Sequence, residues 1–446
     1  MVSVVKIDDY RSFCFRGEGG ANFVISAKNA KTGVRIVWRL AKHKKSGQIS
    51  VKPKCHITNA YMENLIAPLV PERFLIKPKI VIIPLQHVHH LAKIPAMRFN
   101  NKIESFKELT VDKDFNSAMS VLPLNVCAMA INQGIRYLAA LEMPDATCIA
   151  KRLGSMFGPT ITVELKPKQG FLQSHPGISA PFCNNCILQI EKWKSAAYDK
   201  MYDFCPLDLY SGDFERMKKA INSLIHDPHR NLRIFVNGNT VHSDEEVLSE
   251  EKLNQLLFPD GNGDVDSLTT AICQVLAGID DDVSEFELSN ESVLKFLLNV
   301  QLMDPIGIVT AHELYQSLSF SQQRKLHDKT RLMRKSLDSF VGTVTHAVGL
   351  LERYFFAATL KDCSLMLSLR QVSPEEVRSS SHAANIIKVR QNDPLYFAYS
   401  IKIVDLDPKT PKNLINAYQR FMDGVRIIQE NPSLHKPCIS LGKPSA

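Results

Sequence analysis

The chain has 446 residues, 45% of them hydrophobic and 22% charged, and its 54 lysines and arginines against 46 carboxylates give a formal net charge of +8. That length allows a large core and two or three domains at about 150 residues each, and no stretch reaches the roughly 18 consecutive apolar residues of a membrane helix, so membrane insertion is excluded as an expectation. The basic excess points to anionic partners without choosing among nucleic acid, membrane surfaces and small phosphorylated ligands.

The opening MVSVVKIDDYRSF lacks the apolar core of a signal peptide. Ten cysteines lie scattered from Cys14 to Cys438 without a compact framework. Reduced thiols in a soluble protein of the cytoplasm or nucleus are expected, and disulfides are not.

In chain order, the first 90 residues read as strands. SFCF, ANFVISA and VRIVWRLA are short apolar or β-branched runs separated by turn formers, with Gly17, Gly19 and Gly20 at the first turn. Helical periodicity follows near residues 119–142 and 213–226. In the second of these, Phe214, Met217, Ala220, Ile221 and Leu224 share a face behind a Ser211 or Asp213 cap. From Ser243 to about Leu351 the texture is helical: SDEEVLSEEKLNQLLF, VDSLTTAICQVLAGI, NESVLKFLLNVQLM and a long run from Gln322 to Thr359. Strands return at CSLMLSL and LYFAYSIKIVDLD, and NLINAYQRFMDGVRIIQ closes the pattern as a helix.

The most informative short stretch is Val163-Glu164-Leu165-Lys166-Pro167-Lys168-Gln169-Gly170. In an extended strand Glu164, Lys166 and Lys168 project from one side while Val163 and Leu165 take the other. Two lysines beside a carboxylate suit a grip on more than one phosphate. A second signal is the turn Arg16-Gly17-Glu18-Gly19-Gly20-Ala21-Asn22 between two strands, whose glycines let backbone N–H groups approach a phosphate. Arg39 follows on the next strand. A glycine hairpin turn with no ligand remains an alternative. A third signal lies near the C-terminus, where Asp362 precedes one strand and Asp405 and Asp407 end another. A base for an acceptor hydroxyl and a magnesium ligand fit these positions; turn residues bounding a hairpin are the alternative. Asp405, Asp407 and Lys409 share parity, so a continuing strand would show them on one face.

In order along nearly the whole chain, RGEGGAN, VELKPKQG, CPLDLYSG, NLRIFVNG, AATLKDCSLMLSL and IVDLDPK resemble the motifs of the inositol-pentakisphosphate 2-kinase family. The resemblance implies an α+β, two-lobed, diverged protein-kinase-like fold: a strand-rich N-lobe over 1–145 and a C-lobe over 146–446 with a helical insertion at about 243–351. It implies a kinase that uses ATP and Mg2+ to phosphorylate the 2-hydroxyl of inositol 1,3,4,5,6-pentakisphosphate, making the hexakisphosphate (phytate).

Carried over by position, Gly19, Gly20, Ala21 and Asn22 would cover the ATP phosphates, and Arg39 would take the place of the protein-kinase lysine. Met143, Pro144, Asp145 and Ala146 would form the adenine hinge. Glu164, Lys166 and Arg233 would serve ATP. Lys168, Lys192 and Lys409 would clamp substrate phosphates. Asp362 would receive the hydroxyl proton, Asp405 and Asp407 would hold Mg2+, and Asp362, Asp405 and Lys168 would make up the catalytic set. Five phosphates carry about −8 to −10 in total, so a site must present several cations already fixed in place.

The chain departs from the family pattern at three places. Leu188 stands where the family has a histidine ahead of Lys192, Asn413 replaces an arginine, and residues 123–127 carry no arginine. These losses keep two alternatives open: a kinase of another inositol phosphate, or a catalytically weak polyanion-binding scaffold. Retention of Glu164, Asp362 and Asp405 argues against the scaffold, since a pure phosphate binder gains nothing from carboxylates in its site.

Other signals point to no site. Cys183-Asn184-Asn185-Cys186 has metal-ligand spacing with Cys205 and His175 as companions, but a second CxxC pair is missing. Free thiols at a helix start are therefore expected and no structural zinc. His87-Val88-His89-His90 reads as a solvated loop, and Asp260 to Asp264 as a turn, because Val265 stands where a calcium loop needs glycine. Lys42, Lys44 and Lys45 lack interleaved aromatics, so nucleic acid is not expected as a partner; a monomer is.

Overall fold

A computed structural model of the protein describes residues 3–18, 22–41, 54–84, 132, 137–149, 156–178, 181–201, 203–279, 286–338, 344–379, 385–390, 393–434 and 437–438. The chain divides into two compact units, one of residues 1–145 with 329–339 and one of 146–328 with 340–446. The molecule is an α+β protein with one six-stranded sheet in each unit.

In the first unit the expected strands form β2 (Tyr10–Glu18), β3 (Asn22–Asn29) and β4 (Arg35–Ala41). β1 (Ser3–Val4), β5 (Lys79–Pro84) and β6 (Tyr137–Pro144) complete the sheet in the order β1-β5-β6-β4-β3-β2. Alternation puts Ile25, Ala27, Trp38, Leu40, Val81, Ile83, Leu138 and Ala140 on one buried face. Trp38 is fully buried, donates from Nε1 to Glu142 at 2.9 Å and meets Tyr10 edge-on at 4.9 Å; the apolar ring is buried without orphaning its N–H. Part of the helix expected over 119–142 is in fact β6, where Tyr137-Leu138-Ala139-Ala140-Leu141 pairs with both β4 and β5. An apolar run buried on both flanks carries no reliable period, and tertiary pairing decides it. Most of the rest of 119–136, and His87 to His90, lie outside the described residues. Residues 329–339 pack within this unit: Asn64 Nδ2 donates to the Met333 carbonyl at 3.0 Å.

The second unit is built on β7 (Met156–Leu165), β8 (Leu232–Val236), β9 (Asn239–His242), β10 (Ser364–Val372), β11 (Ile386–Val389) and β12 (Leu395–Val404), in the order β11-β12-β10-β7-β8-β9. All neighbours run antiparallel. The central strand β10 is buried along nearly its whole length, whereas its neighbour β7 is buried at Ile161 to Val163 and at Leu165.

The helix expected over 213–226 spans Phe214–His226, and its cap is Asp213, whose carboxylate accepts from the Arg216 N–H at 2.9 Å. The helical stretch breaks into Glu250–Leu257, Val265–Ala277, Val293–Gln301, Gly307–Ser317 and Phe320–His327, then a 3-10 turn at Lys329–Arg334 and the helix Ala347–Lys361. The long run after Gln322 is therefore not continuous. Asp264, in the turn-like Asp-Gly-Asn-Gly-Asp run, caps Val265–Ala277 by accepting from the Ser267 N–H at 2.7 Å.

The closing helix, Pro411–Glu430, packs against the helix Asn184–Lys194. Phe421, Val425 and Ile428 of the first meet Ile187 and Ile190 of the second in one apolar cluster. A Cβ at Gly424 would lie 2.6 Å from the Ile187 carbonyl oxygen, so glycine there permits the close approach.

Candidate functional site

Strand register gathers the candidate residues of the second unit at one end of its sheet. Leu165 pairs with Leu232 and Leu365, and Ser364 with Val404, so β7 and β12 finish where β8 and β10 begin. Glu164 lies opposite Arg233, and its Oε2 stands 3.6 Å from Arg233 Nη1. Burial raises the Glu164 pKa, Arg233 opposes the rise, and the charge of Asp405 reinforces it.

The expected charged face holds only as far as Lys166. The strand ends at Leu165, the Lys166 N–H still bonds the Asn231 carbonyl at 2.8 Å, and Pro167 then has no N–H to continue the ladder. Lys168 adopts a left-handed backbone with φ 60°. Lys168 therefore reaches the site by a turn rather than by strand parity. Gly170 sits under the ring of Tyr210, where a Cβ would lie 2.5 Å from the aromatic carbons.

Asp362 caps the C-terminal end of Ala347–Lys361, with one residue, Cys363, between it and the start of β10 at Ser364. Lys168 Nζ stands 3.4 Å from one of its carboxylate oxygens and Lys409 Nζ 2.5 Å from the other. Burial alone would raise the pKa of Asp362, but the two ammonium groups outweigh it and hold the carboxyl well below the usual range. Burial in turn lowers Lys168, against the attraction of Asp362.

Asp405 follows the last residue of β12 with φ 61° and is exposed; Ser364 Oγ donates to its Oδ2 at 3.3 Å. The left-handed residue breaks alternation, so Asp405, Asp407 and Lys409 do not continue one strand face as expected. The Asp407 carbonyl accepts from Thr359 Oγ1 at 3.4 Å. Asn413, at the position of the absent arginine, closes the first turn of Pro411–Glu430 by accepting from the Thr410 N–H at 2.9 Å.

Lys192 lies in the last turn of Asn184–Lys194, where it donates to Tyr198 Oη at 3.2 Å with Nζ 4.8 Å from that ring's centroid. Burial, with the nearby charges of Lys168 and Arg420, lowers its pKa to about 8. Arg420 donates from Nε and Nη2 to Glu191 Oε2 at 2.9 and 2.7 Å. Sequence reasoning missed Ser364, Tyr198 and Arg420. Ser364 could have been found from its place two residues after Asp362 at a strand start; the other two carry no local signal.

In the first unit, Asn22 opens β3 and accepts from Lys54 Nζ at 3.4 Å. Arg39 lies in β4 opposite Val24 and Leu141, and Met143 in β6 opposite Val37. Asp145 is buried, and its carboxylate pairs with Arg16 at 3.3 Å. Gly19, Gly20 and Ala21 lie outside the described residues.

One expectation is overturned outright. The sulfurs of Cys183, Cys186, Cys205 and Cys438 all lie within 4.8 Å of one another, with Cys183 Sγ 4.0 Å from Cys205 Sγ. Tetrahedral Zn–S bonds of about 2.3 Å place sulfurs about 3.8 Å apart, so the set fits a structural zinc ion. The expectation of free thiols failed because the fourth ligand lies 255 positions along the chain from Cys183. His175 is not a ligand: it faces Asn184 at 3.5 Å and the edge of Phe421. Among the described residues this is the one convergent set of three or more metal-ligating side chains.

Comparison with known proteins gives a family model described as inositol-pentakisphosphate 2-kinase that matches residues 15–421. A curated inositol-pentakisphosphate 2-kinase from Danio rerio is 24% identical over 478 aligned positions, covering 92% of each chain. Another from Arabidopsis thaliana is 25% identical and covers 94% of this chain and 93% of its own.

Proposed function

The chain belongs to the inositol-pentakisphosphate 2-kinase family, and from that premise we propose how its own residues carry out the reaction. The activity is transfer of a phosphoryl group from a nucleotide to inositol pentakisphosphate. The observation that carries the assignment of roles is the meeting of Lys168, Asp362 and Lys409 beside Glu164, Arg233 and Asp405 at one end of the second sheet.

In this reading the fold is a diverged kinase-like one, with 1–145 as N-lobe, joined by 329–339, and the rest of 146–446 as C-lobe. Asp362 faces the acceptor 2-hydroxyl and accepts its proton. A carboxylate held by two ammonium groups is a weak base, which suffices because phosphoryl transfer through a loose transition state asks mainly for position and charge neutralisation. The incoming phosphates compete with Asp362 for Lys168 and Lys409. As those cations turn to the substrate the carboxylate becomes more basic, so substrate binding readies it. Lys192 supplies a further cation to the substrate.

Glu164, Lys166 and Arg233 serve the nucleotide, together with Gly19, Gly20, Ala21, Asn22, Arg39, Met143 and Asp145 of the first unit. Asp405 and Asp407 would hold Mg2+, which when bound neutralises phosphate charge. A pair of carboxylates fits that ion, which keeps waters and shares phosphate oxygens rather than needing a full protein cage. No described helix is long and apolar enough to cross a membrane.

The test is product formation. With ATP, Mg2+ and inositol 1,3,4,5,6-pentakisphosphate the protein should yield the hexakisphosphate, and Asp405→Ala should lose at least about a hundredfold in kcat. Binding without product in the unaltered protein would remove the kinase reading in favour of a scaffold. Equal turnover in Asp405→Ala would move the metal elsewhere.

A further inference from the structure

Lys168 and Asp362 face each other at 3.4 Å, yet neither sits on regular structure that would fix it. Lys168 is past the end of β7 in a left-handed backbone, a conformation that is strained for L residues and kept only when neighbours over-determine it. Asp362 lies in the two-residue break, Asp362-Cys363, between the helix end at Lys361 and β10.

Gln301, the last residue of the helix Val293–Gln301, reaches both segments from the helical block. Its side chain is 0% exposed. Oε1 accepts from the Gly170 N–H at 2.9 Å. Nε2 donates to the Lys168 carbonyl at 2.9 Å and to the Leu360 carbonyl at 3.2 Å, and it lies 3.3 Å from Tyr210 Oη. The orientation of the amide is fixed by chemistry: the Gly170 N–H can only donate and the two carbonyls can only accept. One buried amide therefore pins the Lys168–Gly170 turn on one side and the residue two before Asp362 on the other.

The turn that follows this helix grips the end of Ala347–Lys361 a second time. Asp304 pairs with Lys361 at 2.7 Å while its other oxygen accepts from the Ile306 and Gly307 N–H groups at 3.0 Å. Tyr210 adds a third hold by donating to the Lys168 carbonyl at 3.3 Å.

We propose that Gln301 is a positioning residue for the phosphoryl acceptor, setting the spacing of Lys168 and Asp362 by bonding the backbone of both segments. Resting on the kinase reading above, this makes the helical block part of the substrate apparatus. Glutamine is the fitting residue: glutamate would turn a donor into a charge against two carbonyls, and an apolar isostere would orphan the buried Gly170 N–H and leave the Lys168 and Leu360 carbonyls only the Tyr210 hydroxyl and the Cys363 thiol as donors.

The experiment is a double-mutant cycle read by binding. The affinity for inositol 1,3,4,5,6-pentakisphosphate is measured by calorimetry for the unaltered protein, Gln301→Leu, Lys168→Ala and the double variant, with ATP affinity and melting temperature alongside. Gln301→Leu should weaken inositol phosphate binding about tenfold where Lys168 is present and less than about twofold where it is absent, with ATP affinity unchanged. Tyr210→Phe, which keeps the ring over Gly170, should weaken the same ligand about threefold in the same Lys168-dependent way, and reads out the proposal where Gln301→Leu fails to fold. Equal losses in both Lys168 backgrounds, or loss of both ligands together, overturn the positioning role. Failure of the unaltered protein to bind inositol pentakisphosphate would instead overturn the functional reading itself.

Discussion

Withdrawal of zinc from the four-cysteine cluster should loosen the second unit and weaken its hold on the substrate. Cys183 and Cys186 bracket the start of the helix whose last turn carries Lys192; Cys205 precedes Pro206-Leu207-Asp208-Leu209; Cys438 brings the end of the described chain back, its N–H bonding the Pro181 carbonyl at 2.8 Å. A metal held by residues this far apart exists only in the folded state, so its binding energy adds directly to folding. Free zinc at about 1,000 times its dissociation constant contributes about 4 kcal/mol. For a unit of this size each kcal/mol moves Tm by about 2–4 °C, so a strong chelator should lower Tm by about 8–16 °C. Thermal melting with and without chelator, beside a count of metal released on thiol modification, gives the measurement. One zinc per chain is expected, falling in Cys438→Ser and unchanged in Cys148→Ser, whose thiol is exposed and outside the cluster. Protein purified without chelators that holds less than about one zinc per ten chains and melts at the same temperature with chelator would refute the fit of the four sulfurs to a metal.

The division of labour between neighbouring lysines is open to a simple comparison: Lys168→Ala should raise KM for the inositol phosphate about 10- to 100-fold with ATP little affected, and Lys166→Ala should do the reverse. Loss of the same ligand in both variants would merge the two subsites. Burial places the Lys192 pKa at about 8, so its cation is present below that pH and is lost as pH rises through it. Affinity for inositol pentakisphosphate should therefore fall between pH 7.5 and 9, where the ligand's phosphates are already ionised at a second pKa of about 6. Lys192→Met should bind more weakly at pH 7.5 and lack that slope; an unchanged slope would assign the titration to another group.

Local pattern was enough where the chain repeats one kind of environment. The hairpin strands β2 to β4, the Asp213-capped helix, β10, β12 and the closing helix all follow from alternation, period and caps. β6 was misread because a strand buried from both flanks has no polar face to mark its period. The continuity of the phosphate-gripping face was misread for the opposite reason. Pro167 and two left-handed residues, Lys168 and Asp405, end the alternation that parity assumes, although Lys168 and Asp362 still meet.

The family, the α+β class and the charged residues between Glu164 and Lys409 are legible in the chain alone, because short motifs in order carry them. Which of them touch is a matter of folding: Asp362 stands between two lysines, Gln301 holds the turn beneath one of them, and Cys438 joins Cys183, Cys186 and Cys205. Contacts of that kind join residues tens to hundreds of positions apart, and their geometry is set by sheet register and helix packing, which no local window of sequence contains.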